Sequence, residues 1–152
     1  MIEPTIIQPE FPKPLSTTIW IVGSSCFFLV PAIYAFLNIS FYRLLYLYAS
    51  LSVCTTVCSI NHWRQAEDGI RRKIDKVAAW IAFFVYLITG FLFLPIYLST
   101  TTASIIISSY MVSDYYSQKH HLYWPVTHMF FHFVVSSTKC IIIYYIIEET
   151  NN

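Results

Sequence analysis

From Val77 to Ser113 the chain runs for 37 residues without one Asp, Glu, Lys or Arg. A helix needs about 20 apolar residues to cross the hydrocarbon core of a bilayer. The stretch is therefore too long for one span and barely enough for two. The rest of the chain has the same character. Of 152 residues, 57% are hydrophobic, 18% aromatic and 11% charged, whereas a soluble domain carries about 25% charged residues to wet its surface. These features predict an all-α fold: a single polytopic transmembrane helix bundle, one compact unit at this length. A net charge of +1 offers no footprint for nucleic acid.

The spans can be placed by their polar breaks. A Pro-rich tail covers residues 1–16, with Glu3, Glu10 and four prolines but no basic leader or small-residue cleavage site, so no cleaved signal peptide is expected. The transmembrane domain is expected over 17–147 and a C-terminal tail over 148–152. The first span runs from about Thr17 to Leu37 and the second from about Phe41 to Ile60. A polar loop from His62 to Lys73 follows, with Glu67-Asp68-Gly69 inside it. Pro95 and Ser99-Thr100-Thr101-Thr102 predict a turn that divides the uncharged stretch. They leave a third span of about Lys76–Tyr97 and a short fourth, about Ala103–Ser113, as a full span or a re-entrant segment. The last span starts near Trp124, with Pro125 in a first-turn position that tolerates it, and ends before Glu148. This makes about five spans. No repeat is seen.

Basic residues set the expected orientation. Arg64, Arg71, Arg72, Lys73 and Lys76 flank the loop between spans two and three, and Lys119 precedes span five. With five spans both loops share one face, which should be cytoplasmic. The N-terminus is then inside and the C-terminal Glu148-Glu149 outside or lumenal, in an endomembrane or the plasma membrane. The four cysteines all lie in apolar segments and form no C-x-x-C pair, so neither a disulfide framework nor a thiolate zinc site is indicated.

The titratable groups converge on that same side. His62 closes span two, Asp75 opens span three, and the stretch T-H-M-F-F-H opens span five with His128 and His132. An i, i+4 pair lies on one helix face and has the spacing by which one helix gives two nitrogens to a metal. A third histidine from a neighbouring helix, His62, would complete a three-nitrogen zinc site with water in the fourth position. Such a water loses its proton near neutral pH, and Asp75 could serve it as base or orient a histidine. The plainer alternative is that interfacial histidines simply face headgroups. Ionisable groups inside a membrane are costly and usually functional, which favours the first reading.

Three segments carry a resemblance. Cys58-Ser59-Ile60-Asn61-His62, then Arg71-Arg72-Lys73-Ile74-Asp75-Lys76-Val77-Ala78, then His128-Met129-Phe130-Phe131-His132-Phe133-Val134-Val135 resemble the motifs of the CREST superfamily of membrane hydrolases. That superfamily includes alkaline ceramidases, adiponectin/progestin-type receptors, hemolysin III-like proteins and Per-type GPI-lipid remodelling proteins. The resemblance implies zinc held by His62, His128 and His132, and Asp75 holding the zinc-bound water. It implies a serine before His62 that steadies the oxyanion or the water. The family serine stands four residues before the histidine, where this chain has Cys58, so Ser59, three before, is the candidate. Most of the family has seven spans, so this chain would be a reduced form. Losing two spans between the third and the last keeps the histidine pair on the same side.

Lys139 lies seven residues after His132, about 10 Å deeper along the helix. Either it lines a polar cavity and meets a lipid phosphate or carbonyl, or the span is shifted and it reaches water. His120 and His121 read as solvated loop residues. Asn38-Ile39-Ser40 is a glycosylation sequon too close to the membrane for modification to be expected. Trp20, Trp63, Trp80 and Trp124 read as interfacial anchors. The leading expectation is a zinc-dependent intramembrane hydrolase that cleaves a lipid amide or ester, ceramide-like or GPI/phospholipid-like, at the cytoplasmic headgroup layer. The second is a non-catalytic, receptor-like or structural membrane protein that binds metal for stability. A channel fits less well, because the polar groups gather on one side instead of along a pore.

Overall fold

Prolines mark two of the decisive features of the architecture. A computed structural model describes residues 15–38, 43–66, 69–119 and 122–151, with side chains over 18–149 of these. Glu67, Asp68, His120, His121, most of the Pro-rich tail and the Ile39-Ser40 half of the sequon lie outside the described residues. The chain forms α1 (Leu15–Ser25), a 3-10 turn (Cys26–Phe28), α2 (Leu29–Leu37), α3 (Leu44–Trp63), α4 (Ile70–Phe93), α5 (Ile96–Gln118) and α6 (Trp124–Asn151). No strand occurs among the described residues.

Pro31 explains why the first span is broken. A proline has no N–H and its ring presses on the carbonyl four residues back, here that of Phe27. The chain takes a 3-10 turn over Cys26–Phe28 just before α2. The Phe27 carbonyl that Pro31 leaves without its helical donor accepts a hydrogen bond from the Ser136 hydroxyl of α6. Neighbouring serines commonly satisfy such carbonyls in membrane helices. Ser24 and Ser25, whose hydroxyls both donate to the Ile21 carbonyl at 2.9 Å, add the helix-bending back-bonds known for serine.

Pro95 divides the long uncharged stretch. The residue before a proline avoids the helical region, and Leu94 is extended at φ −98°, ψ 152°, ending α4. The expected turn at Ser99–Thr102 is instead helical, because these side chains bond within the helix. Thr100, Thr101 and Thr102 donate to the carbonyls of Ile96, Tyr97 and Leu98. The fourth segment is thus no short remnant: α5 has 23 residues, about 35 Å of helix. Helix α4 also starts earlier than expected, at Ile70, which puts Arg71, Arg72 and Lys73 on helix instead of loop, and α6 continues through the expected C-terminal tail to Asn151.

Four helical segments are long and apolar enough to cross a membrane: Thr18–Leu37, Leu44–Trp63, Ile70–Phe93 and Trp124–Glu149. The bundle is apolar outside and largely polar within. Trp20, Phe36, Leu37, Val57, Trp80 and Leu92 are exposed, whereas Thr18, Ser24, Ser25, Ser52, Thr56 and Ser59 are buried. In water such an exterior would be an extended sticky patch; lipid tails solvate it, and small hydroxyl residues then mediate helix contact. Helix α5 follows the same rule, with Ile105, Ile107 and Met111 exposed and Ser99, Ser109 and Ser113 buried. The protein is an all-α, multi-pass membrane protein.

Helix α6 is the hub and packs against α1, α2, α4 and α5. Up-and-down order puts the end of α3, the start of α4 and the start of α6 at one end of the bundle. Ring contacts bear this out for two of them: Trp63 meets Trp124 at 5.8 Å between centroids. The opposite end holds the apolar core, built from Ala35, Leu45, Tyr48, Tyr86, Leu94, Ile142, Ile143 and Ile146. Polar and apolar halves of one interior are thereby separated along the axis.

Candidate functional site

The histidine pair sits on the second and third turns of α6. Four residues apart on one helix face, the His128 and His132 rings stand 4.7 Å apart, inclined at 66°. Each Nδ1 is held by a serine from a different helix. Ser24 Oγ lies 2.9 Å from His132 Nδ1, and Ser113 Oγ lies 2.8 Å from His128 Nδ1. A hydroxyl has one proton to give, and Ser24 gives its own to the Ile21 carbonyl. With that proton on Ile21, Ser24 is placed to accept from His132 Nδ1, an arrangement that selects the Nδ1–H tautomer and leaves the lone pair on Nε2. This is the arrangement by which an outer hydrogen bond sets a metal-ligating histidine.

Ser59 is governed by the same logic. Ser25 spends its proton on Ile21, so the 2.9 Å contact between Ser25 Oγ and Ser59 Oγ is a bond donated by Ser59. Ser59 is buried and shares a face of α3 with buried His62. Cys58, the other candidate at the family position, is only half-buried and points into a groove between α3 and α4. Of the two residues, Ser59 is the one that faces the bundle interior.

His62 reaches the pair through an indole. Its ring packs at 4.5 Å against Trp63, and Trp63 in turn packs at 5.0 Å against His128. Asp75 is half-buried on the second turn of α4, and the Cys58 thiol is an electrostatic neighbour. The structure thus brings His128 and His132 together with Ser24 and Ser113, and seats His62 beside them. Among the described residues it does not gather three His, Cys, Asp or Glu side chains into a group that could hold a metal ion. The two imidazoles of α6 stand together, and among the described residues no third donor is closed onto them.

Lys139 is 4% exposed and does not reach the surface. Its ammonium stands 4.9 Å from the ring centres of both Phe28 and Tyr86, a distance at which each ring face attracts a cation. Phe28 also packs against the His132 ring at 4.8 Å, so one phenyl ring links the lysine to the histidine pair. Tyr86 is anchored by a 3.0 Å hydrogen bond with Ser52. Sequence reading missed Ser24, Ser113, Phe28 and Tyr86, since nothing local distinguishes them from other small or aromatic residues of a membrane helix. The S-S dipeptide just before a proline-induced break was the available signal for Ser24.

Fold and site define a multi-pass α-helical membrane protein with a histidine–serine cluster at one end of its interior. No protein-family model, no curated protein and no solved structure matches the chain.

Proposed function

We propose that this protein is a zinc-binding intramembrane hydrolase acting on a lipid amide or ester, a reduced member of the CREST type. The observation that carries the reading is the tautomer that Ser24 selects at His132: Ser24 accepts from Nδ1–H and leaves Nε2 as a donor, one helical turn from a second serine-held imidazole. The order of the three motifs along the chain supports it. His62, His128 and His132 would hold the ion. Zinc, when bound, supplies a Lewis acid and a water of lowered pKa. Asp75 carries the water proton, and Ser59, with its own proton donated to Ser25, accepts from the water or substrate. Lys139, deeper in the same interior, contacts a phosphate or carbonyl of the lipid. In this reading α5 is a fifth span, the N-terminus is cytoplasmic, and the site opens at the cytoplasmic headgroup layer of an endomembrane or the plasma membrane.

The second reading is a non-catalytic, receptor-like or structural protein that binds metal for stability, and the packing of Trp63 against both His62 and His128 favours it. Metal analysis of purified protein, with lipid profiles of cells expressing variants, separates the two. The hydrolase reading expects one zinc per chain, lost in His128→Ala and His132→Ala, and accumulation of an uncleaved lipid in Asp75→Ala. Zinc retained with lipid profiles unchanged in Asp75→Ala and His132→Ala leaves the non-catalytic reading. No zinc, and no stability change in His128→Ala, removes both.

A further inference from the structure

On the outer side of the bundle, away from the Ser24–His132 contact, α3 and α4 enclose a groove of about 400 Å³. Leu51, Cys54 and Cys58 of α3 and Ile74, Ala78 and Ile81 of α4 form its apolar walls, and the charged side chain in its lining is Lys73. The groove is open to the outside: Cys54, Lys73, Ile74 and Ile81 are all exposed. From Ile70 to Ile81 it follows α4 for about 17 Å, starting at the first residue of the helix.

The charge at that end is one-sided. Residues 71–76 read R-R-K-I-D-K, four cations against one carboxylate. Lys73 and Lys76 are exposed, whereas Asp75 is half-buried and near Cys58 across the α3–α4 seam. An apolar trough that ends at a net positive charge, on a helix that traverses a bilayer, has the polarity of a phospholipid: acyl chain along the trough, phosphate at its mouth. Basic pockets between transmembrane helices are recognised binding places for anionic headgroups.

We propose that the α3–α4 groove is a binding site for an anionic glycerophospholipid of the surrounding bilayer, with one acyl chain between Cys54, Cys58 and Ala78 and its headgroup phosphate on Lys73 and Lys76. The site stands whether or not the histidine cluster binds metal. A zwitterionic lipid offers the same chain but adds an ammonium that the cationic mouth disfavours. Selectivity therefore lies in the headgroup and retention in the groove.

The test is photo-crosslinking of the purified protein in bilayer discs with phosphatidylserine carrying a photoactivatable acyl chain, followed by peptide mapping. Adducts are expected within residues 51–58 and 73–81, suppressed by excess phosphatidylserine and not by phosphatidylcholine. Lys73→Glu should reduce labelling about fivefold or more, Lys73→Gln less, and Ala78→Trp should remove it by filling the trough. Size-exclusion profiles check that the variants remain folded, and exposed Lys73 can be reversed without touching the interior. Equal labelling by a phosphatidylcholine probe, adducts mapping elsewhere, labelling indifferent to Lys73→Glu, or displacement by soluble glycerol phosphate as effective as by the lipid would each overturn the proposal.

Discussion

Ser24 accepts a 2.9 Å hydrogen bond from His132 Nδ1 because its own proton is committed to the Ile21 carbonyl. The first span thereby selects which nitrogen of the last span carries a lone pair. Ser24→Ala leaves a buried N–H without its acceptor, which costs about 1–3 kcal/mol. If the cluster binds zinc, the same change should weaken zinc binding by about 10–100-fold, as for other outer hydrogen bonds to metal ligands. Competition titration with a zinc chelator reads the second effect; an affinity equal to that of the parent would argue against His132 as a ligand.

Ser136 and Pro31 form a compensating pair. Removing the Ser136 hydroxyl leaves the Phe27 carbonyl, which Pro31 has already deprived of its helical donor, to a shared backbone N–H of Leu29. Ser136→Ala should therefore lower stability by about 1–2 kcal/mol. In a Pro31→Ala background the restored backbone N–H can bond that carbonyl, and the cost of Ser136→Ala should fall by at least half. A double-mutant cycle of unfolding in mild detergent measures this coupling; strict additivity would refute it.

Lys139 is buried between two aromatic faces. Each ring contact, desolvated, is worth up to about 2 kcal/mol, yet an unneeded buried charge is commonly replaced by an apolar residue without loss. Lys139→Met should keep or raise thermal stability while abolishing any lipid turnover. Phe28→Leu should destabilise the parent more than it destabilises the Lys139→Met variant, since only the parent loses a cation–ring contact. Equal effects in thermal unfolding of the two backgrounds would show that Phe28 serves packing alone.

Gly90 occupies a buried place in α4, where an added methyl group would meet Ile142 Cδ1 at 3.6 Å, ordinary van der Waals contact. Its helical backbone gains from a side chain, and Gly90→Ala should stabilise by about 0.5–1 kcal/mol. Loss of stability would mean that the α4–α6 approach is closer than that contact.

The division between what local sequence and tertiary contact each decide is visible in individual residues. Hydropathy and the charge-free stretch from Val77 to Ser113 determined the class, an all-α membrane bundle, because a bilayer admits few other ways to satisfy a backbone. The i, i+4 spacing of His128 and His132 put both on one face whatever else packed there. Span edges were less legible. Ser99 to Thr102 have turn composition, but inside an apolar helix their hydroxyls bond preceding carbonyls, and the helix continues.

Only the folded bundle decided what meets the imidazoles. Ser24 and Ser113 lie 108 and 15 residues from their histidine partners in sequence, and no periodicity encodes such pairs. The same holds for Lys139, whose surroundings sequence left between cavity and headgroup. Its place between Phe28 and Tyr86 depends on the 3-10 turn before Pro31 and on the register of α4 against α6. Composition and period act on each helix separately. Hydrogen-bond direction and ring contacts arise between helices, so they were decided by packing.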